Sequence, residues 1–375
     1  MGGMSSAPDV RITEVAPIHL RVPLAAGEDA PRQDVFLLRV AAAAPGATPL
    51  VAFGEALIED AEALADGVET LSPCVLGRSP LDRGVLWERM REMLDDPDLP
   101  EGCFDGVVSA LDVALWDLAA QAVGLPVAGL LGGAYYRTLD CYCVARAADT
   151  AEKTLQRARD LISAGYGAVS IELSGDVAVD CDLVTATRKT LGGNVRLIFD
   201  ARGRYTELEA ALEVGAAVDR AEGFWFARPL PEGDWGNCAR LRKPLATPLA
   251  AGTDVRSAAE ALEALRAGAL DVLLLDLRLC GGITGARQIA EVARVHEARV
   301  SFAPQFSGLT ALAAAHCSVA TPACVLFPAT AGIPTAFKEM LATPLSYSGG
   351  FLRPPDAPGL GIPLAEQFVS TYGVD

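Results

Sequence analysis

Residues 272–293 of this 375-residue chain read VLLLDLRLCGGITGARQIAEVA. The apolar run 272–277 has the length of a strand, and it ends shortly before a pair of glycines. The residues that follow show helical spacing of their apolar positions. A strand that is apolar at nearly every position is typical of a parallel sheet covered on both faces. The segment therefore predicts one strand–helix unit of an α/β protein.

The same pattern of a short apolar run and a helical segment recurs through the second part of the chain. The runs are 140–144, 168–173, 195–200, 223–227, 249–252, 272–277, 300–303 and 323–327. Their ends recur roughly every 22 to 30 residues, the span of one strand–helix unit. An open doubly wound sheet would also alternate strands and helices, but no Gly-x-Gly-x-x-Gly follows the first run. Eight regular units predict a (β/α)8-type TIM barrel over residues 137–350.

The residues on either side of this barrel predict a smaller α+β domain. Residues 1–136 begin with strand-like segments and continue with helical stretches at 60–72, 79–95 and 106–122. Residues 351–375 contain no further strand–helix unit, so we expect them to return to the N-terminal domain. The chain is thus predicted to be an N-terminal capping domain, a barrel and a C-terminal segment.

Composition and net charge argue against some classes of binding partner. Hydrophobic residues make up 51% of the chain, which predicts a sizeable buried core. The net charge of −17 argues against nucleic acid and against an anionic membrane, because both require basic patches. No run of 18 apolar residues and no apolar N-terminal leader is present, so we expect neither a membrane span nor a signal peptide. A small molecule is the expected partner.

Cysteine usage indicates the compartment. The nine cysteines are odd in number and contain no Cys-x-x-Cys pair, which argues against a disulfide framework and against a zinc site. Scattered thiols are typical of a reducing environment, so we expect a cytoplasmic protein.

Several short motifs resemble the mandelate racemase and muconate cycloisomerase branch of the enolase superfamily. They are FGEA at 53–56, ALDVALWDL at 110–118, GLP at 124–126, LLGG at 130–133, Asp276 with GGIT at 281–284, and PGLG at 358–361. They occur in the family's order along nearly the whole chain. The resemblance implies the same capped barrel that the strand pattern predicts.

The resemblance also implies a chemistry, namely proton abstraction next to a carboxylate. In the family, Mg²⁺ held by three carboxylates at the ends of strands three, four and five of the barrel stabilises the enolate. Bases come from a Lys-x-Lys pair on strand two, and from a lysine on strand six or a His–Asp dyad on strands seven and six.

This chain departs from that pattern at most positions. Asp200 matches the first metal ligand, whereas Ala227 and Thr253 stand at the other two. Ser170 and Glu172 occupy the positions of the two lysines. Asp200 alone is a poor site for Mg²⁺, which requires several oxygen ligands. We therefore expect no metal cofactor, with Mg²⁺ as the alternative.

The position of the dyad is also altered. Asp276 matches its aspartate, but Gln305 replaces its histidine. Asp276 is a candidate acid or base, and its alternative role is to accept hydrogen bonds from the backbone or from Arg278. The remaining candidates for catalysis are Glu172, Asp200 and Ser170, and the candidates for substrate binding are Arg202, Gln305, Thr253 and Arg278.

Arg202 is the candidate to replace the cation. It lies two residues beyond Asp200, so in extended geometry its side chain projects to the same side. A guanidinium there would neutralise Asp200 or Glu172, or bind a substrate carboxylate through its planar fork. The alternative is that Arg202 forms a structural ion pair with Asp200 in a mouth that is no longer used.

Three functional hypotheses follow from these residues. The first is a metal-independent isomerase, lyase or cyclase that acts on a small organic acid at the C-terminal mouth of the barrel. The second is a non-catalytic relative that binds a ligand or a partner, and the third is an ordinary Mg²⁺-dependent racemase or dehydratase. The resemblance further implies a homo-oligomer, either a dimer or an octamer.

Overall fold

The computed structural model describes residues 9–25, 27, 29–94, 99, 102, 104–302, 307–329 and 334–374. Its N-terminal part is an antiparallel sheet in the order β1-β2-β3. The strands are β1 (Arg11–Pro23), β2 (Arg32–Ala43) and β3 (Leu50–Ala56).

Helices pack on one face of this sheet. They are α1 (Ala61–Val75), α2 (Arg83–Leu94) and α3 (Asp105–Val123), which confirms the three predicted helical stretches to within a few residues. Gly54 is required where β3 crosses α3, because a Cβ atom there would lie 1.8 Å from the Ala110 carbonyl oxygen. Among the described helices, α3 is long and apolar enough to cross a membrane, but 83% of its apolar window is buried inside the protein. Its composition therefore reflects core packing.

Parallel strands form the second part of the described chain. They are β4 (Leu139–Ala145), β5 (Ala168–Glu172), β6 (Arg196–Asp200), β7 (Trp225–Ala227), β8 (Leu249–Ala251), β9 (Val272–Leu275), β10 (Arg299–Phe302) and β11 (Phe327–Pro328). Each strand from β4 to β9 pairs in parallel with the next one along the chain. β11 pairs with β4, and a bridge between Val300 and Cys324 joins β10 to the segment before β11. The sheet is therefore closed, and the predicted (β/α)8-type TIM barrel with an α+β capping domain is confirmed.

In the described residues beyond α3, one helix precedes β4, seven alternate with the barrel strands, and the last two contact β1 of the cap. These helices are α4 (Val127–Leu130), α5 (Ala151–Ser163), α6 (Val177–Leu191), α7 (Leu208–Arg220), α8 (Trp235–Arg242), α9 (Ala258–Arg266), α10 (Gly282–Val295), α11 (Gly308–Ala320), α12 (Thr335–Lys338) and α13 (Glu366–Tyr372). Within the described ranges, five of them have a side chain just before the helix that accepts a hydrogen bond from a backbone N–H three residues on, namely Thr150, Asp176, Asp234, Ser257 and Ser307.

The C-terminal residues contact both parts of the molecule. The strands β12 (Tyr347–Ser348) and β13 (Phe351–Leu352) form a hairpin, and β13 pairs antiparallel with β4 of the barrel. Farther on, the backbone N–H of Val374 donates to the His19 carbonyl oxygen at 2.9 Å, on β1 of the cap.

A buried charge network joins the cap to the barrel. Arg278, just after β9, donates to both carboxylate oxygens of Asp276 at 3.1 and 2.7 Å and to Glu55 of β3 at 3.1 Å. Thr310 of α11 donates to the other Glu55 oxygen at 2.9 Å. All four residues are buried. Burial disfavours the charge on Arg278, but Asp276 and Glu55 outweigh this effect and raise its pKa.

Replacement of Arg278 tests how strongly this network holds the cap. Arg278→Met leaves two buried carboxylates without their cation, so we expect the free energy of unfolding to fall by roughly 3–5 kcal/mol in chemical denaturation. The matched control is Arg294→Met, because Arg294 pairs with Glu291 on the exposed face of α10. That pair should contribute less than about 1 kcal/mol. Equal losses in the two variants would show that the network is not a structural joint.

Candidate functional site

A small cavity of about 130 Å³ opens at the carboxyl ends of the barrel strands. Apolar and aromatic side chains from the barrel interior form its floor, namely Tyr142, Ile198, Trp225, Ala227 and Leu274. Its polar lining consists of Arg146, Ser170, Glu172, Asp200, Arg202, Arg228 and Thr253. Active sites of TIM barrels lie at this end of the barrel. Most of the residues singled out from the sequence therefore come together in one mouth.

Asp200 is held by an arginine. Arg228 donates to both of its carboxylate oxygens, from Nε at 3.1 Å and from Nη2 at 2.5 Å. The backbone N–H of Arg202 adds a third donor at 3.0 Å. The two side chains of the ion pair are only 20% and 17% exposed, so water screens it weakly. Burial lowers the pKa of Arg228, but Asp200 more than reverses this and the net pKa is raised.

Two arginines that line the mouth have a left-handed backbone conformation. Neighbouring residues on a strand point to opposite faces, so the side chain after Ala227 should point away from the cavity. Arg228 instead has φ +44° and lines the same cavity as Ala227. Arg202 has φ +53°, so the extended backbone of β6 does not continue to it, yet its side chain lines the same cavity as Asp200. Such conformations are costly for residues with a side chain and cluster at functional sites.

The second carboxylate of the mouth, Glu172, also contacts arginines. Arg204 donates to its Oε1 at 2.9 Å and Arg202 at 3.3 Å, so the side chain of Arg202 contacts Glu172, one of the partners considered for it, whereas that of Asp200 pairs with Arg228. Burial raises the pKa of Glu172, but the hydrogen bond from Arg204 and the charges of both arginines outweigh it, so the net pKa is lowered. Glu172 is therefore a carboxylate at neutral pH.

Thr253 faces a carboxylate that the sequence did not single out. Its hydroxyl donates to Glu232 at 2.6 Å, and the other Glu232 oxygen accepts from the backbone N–H of Gly252 at 2.9 Å. Asp254 does not line the cavity, and its residue surface is exposed. Even so, burial of its carboxyl and the nearby Glu232 raise the pKa of Asp254 to about 6. Thr253 thus has a hydrogen-bond partner within the protein.

The structure places the other candidates as follows. Ser170 is buried and lines the cavity on the same face of β5 as Glu172. Asp276 and Arg278 do not line it, because they belong to the buried network with Glu55. This is the alternative role considered for Asp276, and it leaves neither side chain open to a ligand in the mouth. Gln305 lies outside the described residues.

Three mouth residues were missed by the sequence reasoning. Arg228 directly follows the lost ligand position Ala227, and this adjacency was the available signal. Tyr142 and Arg146 lie on and just beyond β4, for which the resemblance supplied no motif. Burial raises the pKa of Tyr142, so its phenol stays protonated at neutral pH.

The donor set does not fit a divalent cation. Mg²⁺ binds through carboxylates and retained waters in near-octahedral geometry. Both oxygens of Asp200 already accept hydrogen bonds from Arg228, and Ala227 has no ligand atom in its side chain. Within the described ranges, no group of three or more His, Cys, Asp or Glu residues is arranged to hold a metal. A fixed positive charge stands beside Asp200 instead.

Comparison with known proteins agrees with this architecture. Residues 153–368 match the family model described as "Enolase C-terminal domain-like". D-galactarolactone cycloisomerase of Agrobacterium fabrum is 30% identical over 324 residues, which cover 81% of this chain and 83% of that protein. Muconate cycloisomerase 1 of Rhodococcus opacus is 30% identical over 267 residues, which cover 70% and 71%.

A crystal structure shows the same fold over nearly the full length. It is described as a member of the enolase superfamily from Polaromonas sp. JS666, with a TM-score of 0.87, 26% identity and coverage of 97% of this chain and 98% of that one. The matched model spans more than half of the chain, and the cycloisomerase of Agrobacterium fabrum is 30% identical over 81% of it. The chain therefore belongs to the enolase superfamily, in its mandelate racemase and muconate cycloisomerase family.

Proposed function

We propose that this chain is an isomerase, lyase or cyclase that acts on a small organic acid at the barrel mouth without a divalent cation. The observation that carries the proposal is the two-fold contact of Arg228 with Asp200, where the family would hold its metal. Two of its relatives are cycloisomerases, a D-galactarolactone cycloisomerase and a muconate cycloisomerase, which supports the reaction class.

The charge of the mouth favours an anionic substrate. Arg146, Arg202 and Arg228 line the cavity, against two carboxylates, Glu172 and Asp200. The described lining therefore carries an excess positive charge on a chain whose net charge is −17. A locally positive cleft raises the concentration of anions near it.

The contacts suggest a role for each side chain. Arg202 is 43% exposed and contacts Glu172 only at 3.3 Å, so it is the arginine best placed to turn onto a substrate carboxylate. Its departure would remove a counter-charge from Glu172 and make that carboxylate more basic. Glu172 would then accept the proton next to the substrate carboxylate. Arg228 and the protonated Tyr142 would donate hydrogen bonds to the oxyanion that forms, and Asp200 would position Arg228.

A second candidate function is ligand binding without turnover. The observation that favours it is that both mouth carboxylates are ion-paired, and that the pairing lowers the pKa of Glu172, which makes Glu172 a weaker base. Hydrogen exchange at the substrate distinguishes the two functions, because only the first requires proton abstraction.

Two further properties remain proposals. Cysteines at eight positions of the described residues are free thiols, in keeping with a cytoplasmic location. Assembly as a dimer or an octamer rests on the family resemblance alone.

Proton abstraction can be measured in D₂O. The protein, stripped with EDTA and kept in it, is incubated with a panel of aldonic acids, aldaric acids, their lactones and muconates, and loss of the α-proton signal is followed by NMR. We expect exchange on at least one acid in EDTA, without stimulation by added Mg²⁺. Glu172→Gln should lower its rate roughly 10²–10⁴-fold, as removal of a general base does.

The matched control is Glu213→Gln, which removes an exposed carboxylate on α7. This variant should catalyse hydrogen exchange at the substrate at the rate of the unmodified chain. Exchange that appears only with Mg²⁺ would contradict the proposal. Saturable binding of an acid without any exchange would support binding without turnover.

The pH dependence tests the role of Glu172. A base must be unprotonated, and the pKa of Glu172 lies below its ordinary value of 4.5, so kcat/KM should fall only below that pH. Arg204 lowers this pKa more than Arg202 does. Arg204→Gln should therefore move the acidic limb to higher pH, by more than Arg202→Gln does. An acidic limb well above pH 4.5 in the unmodified chain, or one unmoved by Arg204→Gln, would exclude Glu172 as the base.

A further inference from the structure

A second cleft lies outside the barrel, between the cap and α10. It has a volume of about 670 Å³ and shares no lining residue with the mouth. From the cap, Arg83 of α2 and Trp116 of α3 line it, and from α10 it is lined by Thr284, Arg287, Gln288 and Glu291. The proposed reaction uses none of these side chains.

Arg83 is held in place but incompletely paired. Its guanidinium stacks on the Trp116 ring, 3.9 Å from the ring centre. Trp116 is fixed in turn, because its indole N–H donates to the Thr284 hydroxyl at 2.9 Å. The Nε atom of Arg83 is buried and has no hydrogen-bond partner within the described chain. A buried donor without a partner is costly, so it indicates a missing acceptor.

The second arginine of the cleft adds to this unbalanced charge. No ion pair or hydrogen bond involves the Arg287 side chain among the described residues. Burial lowers the pKa of Arg83, Asp112 opposes that effect, and the like charge of Arg287 lowers it further. Two guanidinium groups therefore share one cleft and repel each other.

The nearby carboxylates do not neutralise the pair. Asp112 is fully buried, does not line the cleft, and accepts from the Thr284 N–H at 2.8 Å and its hydroxyl at 2.6 Å. Glu291 does line the cleft but pairs with Arg294 at 2.9 Å. The chain carries 48 acidic residues against 31 basic ones, so two arginines without a close carboxylate are not explained by a shortage of acids.

We propose that this cleft binds a small oxyanion, the carboxylate or phosphate group of a metabolite, between Arg83 and Arg287. Guanidinium groups match such planar or tetrahedral anions through paired N–H donors. Because the two arginines come from the cap and from the barrel, a bound anion also ties the two parts together. This site is separate from the mouth and does not depend on the proposed reaction.

Calorimetric titration tests the site with two probes, inorganic phosphate and citrate, at an ionic strength held constant with NaCl. We expect saturable binding of at least one probe, and at least tenfold weaker binding in Arg287→Gln. Arg220→Gln, which changes an exposed arginine of α7 that does not line the cleft, is the control and should bind as the unmodified chain does. Arg202→Gln, in the mouth, should also keep this binding. The tighter probe identifies the class of oxyanion.

Thermal denaturation supplies a second readout. Removal of a repelling charge should leave the Tm of Arg287→Gln in NaCl alone equal to or above that of the unmodified chain. The bound probe should raise the Tm of the unmodified chain but not that of Arg287→Gln. If Arg287→Gln does not fold, Arg83→Gln serves for the same comparison. The proposal is overturned if neither probe binds saturably, if Arg287→Gln binds with unchanged affinity, or if Arg202→Gln rather than Arg287→Gln abolishes the binding.

Discussion

In the function that we propose, the chemistry of the barrel mouth depends on the ion pair between Arg228 and Asp200. A closed parallel barrel brings the carboxyl ends of its strands together, so carboxylates placed there converge and repel each other unless a cation lies between them. In this chain one carboxylate of the expected three remains, and a guanidinium contacts both of its oxygens. The positive charge next to Asp200 is therefore that of an arginine of the chain itself.

A guanidinium differs from a metal ion in ways that matter for a reaction. It offers no exchangeable coordination position, so it acts on a substrate only through directed N–H donors and its charge. Its position is fixed by the pairing with Asp200 and by the left-handed backbone of Arg228. Such preorganised donors stabilise a developing oxyanion without rearrangement in the reaction. We infer that positioning by the protein takes over what metal coordination does elsewhere in the family.

Much of the fold could be predicted because it depends on local patterns. The apolar runs at 168–173 and 195–200 match β5 and β6 to within one residue at each end, since parallel strands buried on both faces are apolar at nearly every position. Glu172 was one of the partners considered for Arg202, and the two side chains are in contact. The joint between Glu55 and Arg278 could not be predicted, because it links residues 223 positions apart in the sequence.

The pairing of Arg228 was hidden for a different reason. Side-chain alternation predicts that the residue after Ala227 turns away from the mouth, and only a left-handed φ reverses this. Nothing in the sequence marks that conformation at an arginine, whereas a glycine would have suggested it. The arrangement of the mouth therefore depends on the backbone conformation of residues just beyond the strands, which the apolar pattern of the strands does not reveal.

Binding of Mn²⁺, followed by electron paramagnetic resonance of the free ion, tests the central claim most directly. We expect the spectrum of free Mn²⁺ to persist when the ion is titrated against the protein, with no stoichiometric site. A single site per chain that disappears in Asp200→Asn would show that the mouth holds a metal after all, and would contradict the role given to Arg228.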